Sequence, residues 1–222
     1  MAIDFPNSPT ANQTYTVGGK TWTYSVVTYA IGDTGPAGGK IFITPSTAGN
    51  STGSYFEAGP FPNPEIQRYS VATANFSTAI SGADGTAIGT GAQNTIDIVA
   101  QAGNIAANSA AAYCADYTYG GFSDWFLPSK NELVEFNTNR ASVGGFTAGT
   151  YHSSSESGAQ FFWAKYVGDS SVASENYKGS EANFRPVRSF AVEGGRWVVV
   201  DKVNNASNQV YDVTVLLRME TN

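Results

Sequence analysis

Polar and apolar residues alternate at both ends of the chain. The segment TYTVGGKTWTYSVVTYA (14–30) alternates β-branched or aromatic residues with small polar ones around Gly18 and Gly19. Near the other end, RWVVVDKV and QVYDVTVLLRM flank the polar segment NNASN. Two alternating runs joined by a short turn are typical of a β-hairpin. The pattern predicts a hairpin within residues 1–30 and another within residues 191–222.

Between these hairpins the pattern changes to short helices and short strands. An oxygen-bearing side chain before the first turn stabilises the start of a helix. A helix is predicted at 96–101, capped by Asn94 or Thr95, and an alanine-rich helix at 105–116. Strands are predicted at 40–44 and 54–58, and the segments YHSSSES, QFFWAKYV, ENYKG and ANFRPVRSF indicate further strands and loops from residue 151 onward.

The segment GGFSDWFLPSKNEL (120–133) carries the most specific local signal. Ser129, followed three residues later by Glu132, forms a capping-box pattern, which predicts a helix that begins near Lys130. The large apolar side chains before it, Trp125 among them, need a core or an interface. We therefore expect Trp125, Ser129 and Glu132 to be structural residues.

Composition and charge exclude some classes of partner. The 222 residues suffice for one main domain with appendages. Only 14% of them are charged, and the net charge is -6. An acidic chain lacks the electrostatic attraction that dominates binding to nucleic acid or to an anionic membrane. No secretion signal or membrane-spanning run is recognisable, so synthesis in a cytoplasm is expected.

Neither a cofactor nor a metal ion is expected. Cys114 is the only cysteine, so an intrachain disulfide or a cysteine zinc site cannot form, and Cys114 is expected in the core. Asp84, Asp124 and Asp169 lie in glycine-rich segments and could hold calcium only weakly. The segment GTGAQNT lacks the lysine of a phosphate-binding loop, so it is interpreted as a loop and a helix start.

Catalysis is not expected either. His152 precedes Ser153, Ser154 and Ser155, with Glu156 next. Adjacent residues of a strand point to opposite faces, and no GxSxG segment is present, so a serine nucleophile with a histidine base is disfavoured. The chain is therefore interpreted as a non-enzyme.

The segment from 151 to 178 is the candidate recognition surface. Because strand residues alternate between two faces, about half of its side chains must be core. Tyr166 and Tyr177 are expected as contact residues, and Trp163 as core. Arg185, just before a proline, is expected as a buried hydrogen-bond hub, with an anion-recognising surface as the alternative. The candidate ligand-binding residues are Tyr151, His152, Lys165, Tyr166, Asn176, Tyr177 and Lys178.

Five segments in this order resemble the DUF1566 family: GDTGPAGGKIF, GTGAQNT with its alanine-rich helix, GGFSDWFLPSKNEL, YHSSSE and FRPVR. The fold of that family is similar to C-type lectins and to the formylglycine-generating enzyme. The resemblance covers about residues 31–190 and departs at His152, where the family often has Trp. It implies an α+β, C-type lectin-like domain with two short helices and a twisted antiparallel sheet, in which Trp125 packs centrally and no catalysis is attached.

The N-terminal segment DFPNSPTANQTYTVGGKTWTY is similar to segments of tail-fibre and other structural proteins of bacteriophages. Together the two resemblances imply a virion surface protein, such as a tail-fibre, tail-tip or decoration subunit, that attaches to a host. Its expected partners are other virion proteins through the terminal hairpins, a host-surface glycan or protein, and further copies of itself. A bacterial adhesion module is the alternative, and an enzyme acting on polysaccharide is a weaker one because no acidic pair stands out.

Overall fold

The computed structural model of the chain describes residues 12–60, 71–145, 147–168 and 172–192, and the backbone of 196–204 and 210–216. The chain forms two compact units. We call Met1–Thr28 with Val192–Asn222 the terminal unit, and Tyr29–Ala191 the central unit.

The described residues form a mixed α+β fold, as the sequence predicts. They contain four helices rather than two, and three small antiparallel sheets rather than one. The elements in chain order are β1 (Thr14–Val17), β2 (Lys20–Ser25), β3 (Lys40–Ile43), β4 (Tyr55–Ala58), a 3-10 turn (Thr73–Asn75), α1 (Gly91–Ala100), α2 (Ala110–Asp116), α3 (Lys130–Thr138), α4 (Arg140–Val143), β5 (Gly149–Gly158), β6 (Phe161–Val167), β7 (Ser174–Tyr177), β8 (Val187–Phe190), β9 (Arg196–Asn204) and β10 (Val210–Leu216).

Both predicted hairpins are present, and they join into one terminal sheet. Gly18 and Gly19 both have positive φ, which two-residue hairpin turns of the favoured type require. β2 pairs with β9, with Trp22 opposite Val199, so the strand order is β1-β2-β9-β10. This order is the chain order once the central unit is left out. The central unit is therefore an insertion between the second and third strands of a simple antiparallel meander.

The central unit contains two three-stranded sheets, β3-β4-β8 and β5-β6-β7. Its two ends lie together, because the rings of Tyr29 and Phe190 pack edge to face with centroids 5.6 Å apart. Three β3 residues and all four β4 residues are buried, as expected for short apolar strands covered on both faces. The largest fully buried apolar side chains are Phe42, Phe56, Phe136, Tyr151, Phe162 and Phe184, and Trp125 is almost as deeply buried.

Two helix starts differ from the prediction. α1 begins at Gly91, so Asn94 and Thr95 lie inside the helix as buried residues and do not cap it. The Thr95 hydroxyl instead donates to the carbonyl of Gly91. α2 begins only at Ala110, because Ser109 caps it by accepting from the N–H of Ala112. The sequence correctly predicted helices in this region, but the predicted cap of α1 and the predicted start of α2 were wrong.

Candidate functional site

The capping box at the start of α3 is present, and Glu132 also organises a second segment. Its carboxylate accepts from the N–H of Ser129 at 2.7 Å, while the Ser129 hydroxyl accepts from the N–H of Glu132. The same carboxylate accepts from the N–H groups of Gly89, at 2.7 Å, and Gly91, at 3.4 Å. A side chain at Gly91 would collide with Glu132 and with the backbone of Ser129. The glycines of GTGAQNT thus serve close packing around a buried acid.

Burial raises the pKa of Glu132 to about 7, against the opposing effect of its hydrogen bonds to backbone N–H groups. Its ordinary value is 4.5. The folded chain therefore keeps a proton between about pH 4.5 and 7 that the unfolded chain releases. Stability contributed by this group is present below that window and is lost as the pH rises through it.

Glu132→Gln is expected to lower the free energy of unfolding by about 1–3 kcal/mol, because an amide nitrogen cannot accept from an N–H group. The variant should also lose the fall in stability between pH 4.5 and 7. Urea unfolding across this pH range measures both effects. Glu135→Gln on the same helix is the comparison: Glu135 is only partly buried and burial raises its pKa too, so this variant should change the pH profile in the same direction but less than Glu132→Gln. A Glu132→Gln variant with unchanged stability and an unchanged pH profile would contradict this role.

Glu57 is a second buried acid with a structural role. Its carboxylate accepts from the N–H groups of Ala37 and Gly39 and from Arg188. Arg188 also binds Asp124 through two nitrogens, at 2.7 and 2.9 Å. A side chain at Gly35 would collide with the Glu57 carboxylate. The glycine spacing of GDTGPAGGK therefore reflects a loop wrapped around Glu57.

Arg185 is the hydrogen-bond hub expected from the sequence. It is buried and donates to the carbonyls of Gly59, Gly145 and Gly144, the last two at 2.6 and 3.4 Å. Burial lowers its pKa to about 10. Because its guanidinium group is buried and donates to three backbone carbonyls, Arg185 does not serve the alternative role of a surface anion site.

Four of the seven candidate ligand residues are buried, so their prediction as surface contacts was wrong. The Tyr151 hydroxyl donates to Thr147, and its ring packs on Phe136. The ammonium group of Lys165 donates to the carbonyl of Tyr166. The corrected residues are Tyr151, His152, Lys165 and Lys178, which are at most 2% exposed.

Lys178 forms a buried ion pair with Glu156. Its ammonium group also donates to the carbonyl of Thr78 at 2.7 Å, and the Glu156 carboxylate accepts from the N–H of Ile80. The pair therefore ties β5 and the end of β7 to the segment that follows the 3-10 turn. A lysine held this way belongs to the interior and not to a binding surface.

The buried polar residues His152, Ser153 and Ser155 of β5 bond to neighbouring segments. His152 Nε2 bonds with the carbonyl of Ser180 at 3.1 Å. The hydroxyls of Ser153 and Ser155 donate to the carbonyls of Trp163 and Gly85, both at 2.6 Å. These two hydroxyls therefore tie β5 to the neighbouring strand and to the loop around Gly85.

Trp163 is only half-buried, so its prediction as core was wrong. It lies on the open face of β6, where the ammonium group of Lys130 sits 3.4 Å from its ring centroid. This cation–π contact covers part of the ring without enclosing it.

Tyr166 and Tyr177 are exposed as predicted, by 44% and 42%, while Asn176 is partly exposed. The two tyrosines do not share a surface. Tyr177 lies opposite Phe161, and Phe161 is five residues from Tyr166 along β6. An odd separation places Phe161 and Tyr166 on opposite faces, about 16 Å apart along the strand. Tyr166 and Tyr177, which were expected on one recognition surface, therefore lie on opposite faces of the sheet.

Tyr177 belongs to an aromatic face that we define by two exposed residues, Phe161 and Tyr177, and two partly buried ones, Phe76 and Trp163. The ring of Tyr177 packs edge to face against Phe76 and Phe161, with centroids 5.9 and 6.2 Å apart. Trp163 lies on the same side of β6 as Phe161. A side chain at Gly179 would collide with the Tyr177 ring, so the glycine leaves room for this arrangement. The alternation in QFFWAKYV could have predicted that Phe161 is exposed. Phe76 lies far away in the sequence, so its contact with Tyr177 could not be predicted in this way.

A second aromatic surface, which the sequence reasoning missed, is a tyrosine row formed by Tyr113, Tyr117 and Tyr119. Successive rings are nearly parallel, at 24° and 13°, with both centroid distances at 6.3 Å. Buried Trp125 packs against Tyr117 and Tyr119 at steep angles, which agrees with its expected structural role. The turn at Gly120 returns the chain from Tyr119 to Phe122. The available signal was the four-residue spacing of Tyr113, in α2, and Tyr117, which directly follows this helix.

Among the described residues, no three His, Cys, Asp or Glu side chains group in a way that could hold a metal ion. Asp124 pairs with Arg188, and Asp169 lies outside the described residues. Cys114 is buried, as expected, and burial raises the pKa of its thiol. None of the described helices has the length and apolar character to cross a membrane.

No family model matches the chain, and no curated protein matches its sequence. The proposed function therefore depends on the geometry of the aromatic face and on the sequence motifs.

Proposed function

We propose that the chain is a non-enzymatic bacteriophage virion surface protein, such as a tail-fibre, tail-tip or decoration subunit. Its central unit has a C-type lectin-like fold of the DUF1566 kind and binds the host surface. The ordered series of motifs from GDTGPAGGKIF to FRPVR supports the fold, and the N-terminal similarity to phage structural proteins supports the location.

The observation that carries the recognition role is the contrast between buried ionisable side chains and aromatic side chains that stay exposed. The acids and bases best suited to chemistry are buried and engaged with one another or with the backbone, as Glu57, Glu132, Glu156, Lys178 and Arg185 are. Phe161 and Tyr177, by contrast, are exposed and pack on each other. A rigid aromatic face gives large contact area at low conformational cost, which suits binding more than bond breaking.

The terminal sheet supports separate roles for the two units, with recognition in the central unit and attachment to the particle in the terminal unit. Both ends of the chain contribute to it, and the central unit is inserted between β2 and β9. A recognition unit inserted in this way can vary without interrupting the sheet that carries it. The terminal hairpins then hold the chain to other virion proteins or to further copies of itself.

Replacing Phe161 and Tyr177 by Ala together is expected to reduce attachment of the purified, labelled chain to host cells by more than about tenfold, since such aromatic anchors dominate many interfaces. Attachment by the unmodified chain should fall only modestly from low to high salt, because the face is mainly aromatic and carries two charged side chains beside Trp163, Lys130 and Glu175. Flow cytometry of cells mixed with the labelled chain measures both.

Tyr166→Ala is the matched control, because Tyr166 is equally exposed but lies on the opposite face of β6. It should attach like the unmodified chain. Equal attachment by the Phe161/Tyr177 variant, with an unchanged melting temperature, would remove the aromatic face from the proposal. Attachment by an isolated chain whose native location is the bacterial surface would favour the adhesion module instead.

A further inference from the structure

We propose that an apolar patch on α1 pairs with the same patch of a second copy of this chain, so that two copies form a dimer with twofold symmetry. We define the α1 patch by Ile96, Val99, Ala100 and Ile105. This inference goes beyond the proposed function, because it concerns residues outside both the aromatic face and the terminal hairpins. It does not depend on the location of the protein in a particle.

The α1 patch exposes branched apolar side chains of a kind that the central unit otherwise keeps inside. Ile96 and Ile105 are 60% and 58% exposed, and Val99 is 38% exposed. The other isoleucines among the described residues are buried, apart from Ile31, which is partly buried. Apolar side chains that are exposed side by side mark an interaction surface more often than single exposed ones do.

The members of the patch are neighbours. Ile96 and Val99 are three residues apart in α1, so they lie on one face of the helix. The chain then turns back, and the side-chain amide of Asn104 donates to the carbonyl of Ile98 at 2.7 Å. Ile105, the next residue, therefore lies beside the C-terminal end of the same helix.

Charge is nearly absent from the stretch that forms the patch. Residues 85–115 contain a single charged residue, Asp97. Its carboxylate accepts from the side-chain amide of Gln93 at 3.0 Å and lies against Gly82, where an added side chain would collide with it. A strongly charged partner would find no counter-charge here. Depletion of charge is instead typical of the core of an interface between identical subunits.

The order of side chains along α1 fits a second copy of the same helix. Ala92, Ile96 and Ala100 follow one another at intervals of four residues, so a large side chain stands between two small ones in one row. A twofold axis places a surface against itself in the opposite direction, and the order small, large, small is unchanged by this reversal. The small residues leave room for the ridge that the partner helix presents.

The net charge of the chain strengthens the choice of an uncharged contact. Each copy carries a net charge of -6, so two copies repel each other at low salt. A nearly uncharged patch lets them meet without bringing further like charges together. Because added salt screens the repulsion, the dimer should become more stable as the ionic strength rises, whereas a contact held by ion pairs would weaken.

Sedimentation equilibrium of the full chain, over a wide range of protein concentration and at low and high salt, tests the proposal. We expect a reversible equilibrium between monomer and dimer that high salt shifts toward the dimer. Ile96→Asp should weaken dimerisation by at least about tenfold, because it places a carboxylate of each copy in the apolar contact without a counter-charge. Val172→Asp adds the same charge at a residue that is 84% exposed and outside α1, so it is the matched control and should dimerise like the unmodified chain.

Cysteine cross-linking locates the contact. Under mild oxidation, Ile96→Cys should form disulfide-linked dimers, whereas Val172→Cys should not, and equal melting temperatures of all four variants verify that they fold.

Four results would overturn the proposal: a chain that stays monomeric at every concentration, unchanged dimerisation of Ile96→Asp, a dimer that high salt dissociates, or Ile96→Cys that cross-links no faster than Val172→Cys. These measurements use neither host cells nor particles, so their failure is distinct from a failure of the proposed function.

Discussion

Lys178→Met is expected to lower the free energy of unfolding by about 3–5 kcal/mol, the usual cost of removing one partner of a buried ion pair. Lys178 is fully buried, and its ammonium group is shared between Glu156 and the carbonyl of Thr78. Methionine fills a similar volume but leaves the Glu156 carboxylate without its counter-charge. Urea unfolding measures the loss.

A double-mutant cycle separates the charge effect from a change in packing. Glu156→Gln combined with Lys178→Met removes both charges, so the double variant should be more stable than Lys178→Met alone. Lys20→Met, at an exposed position of β2, is the control and should change stability by less than about 0.5 kcal/mol. A Lys178→Met variant as stable as this control would show that Lys178 is exposed and would return it to the candidate ligand residues.

Arg185→Met is expected to destabilise the central unit by about 2–4 kcal/mol, because a buried carbonyl left without a donor costs about 1–3 kcal/mol. The buried carbonyl of Gly59 loses its donor, and so do the carbonyls of Gly144 and Gly145, which lie nearer the surface. Lysine cannot replace the planar fork of donors, so Arg185→Lys should recover little. Thermal unfolding followed by near-ultraviolet circular dichroism reports this loss of packing.

Arg140→Met provides the matched comparison for this prediction. Arg140 is partly buried and donates to a single carbonyl, that of Asn137. Its replacement should cost about 1 kcal/mol or less. Equal losses for the two arginine variants would contradict the interpretation of Arg185 as a hub and reopen its alternative role in anion recognition.

The sequence predicted correctly those turns and helix starts that depend only on neighbouring residues. The hairpin turn at Gly18 and Gly19 and the capping box of Ser129 and Glu132 each depend on residues at most a few positions apart. The pairing of β2 with β9 depends on residues about 175 positions apart, with Trp22 opposite Val199. Alternation indicates a strand but not its partner, so the joining of the two hairpins could not be predicted.

The candidate site was harder to predict, because burial does not follow polarity in β5. The segment YHSSSES looks like an exposed strand, yet His152 through Glu156 are buried with their polar groups engaged by neighbouring segments. Tyr166 and Tyr177 were correctly expected to be exposed. Their opposite faces follow from the register with Phe161, which requires the pairing of β6 with β7.

The protein composition of purified phage particles tests the central proposal most directly. We predict that mass spectrometry finds the chain in gradient-purified particles from cells that produce it, and that antibodies against the central unit label intact particles and block their adsorption. A chain that is absent from the particles and monomeric when purified would contradict the assignment as a virion surface protein.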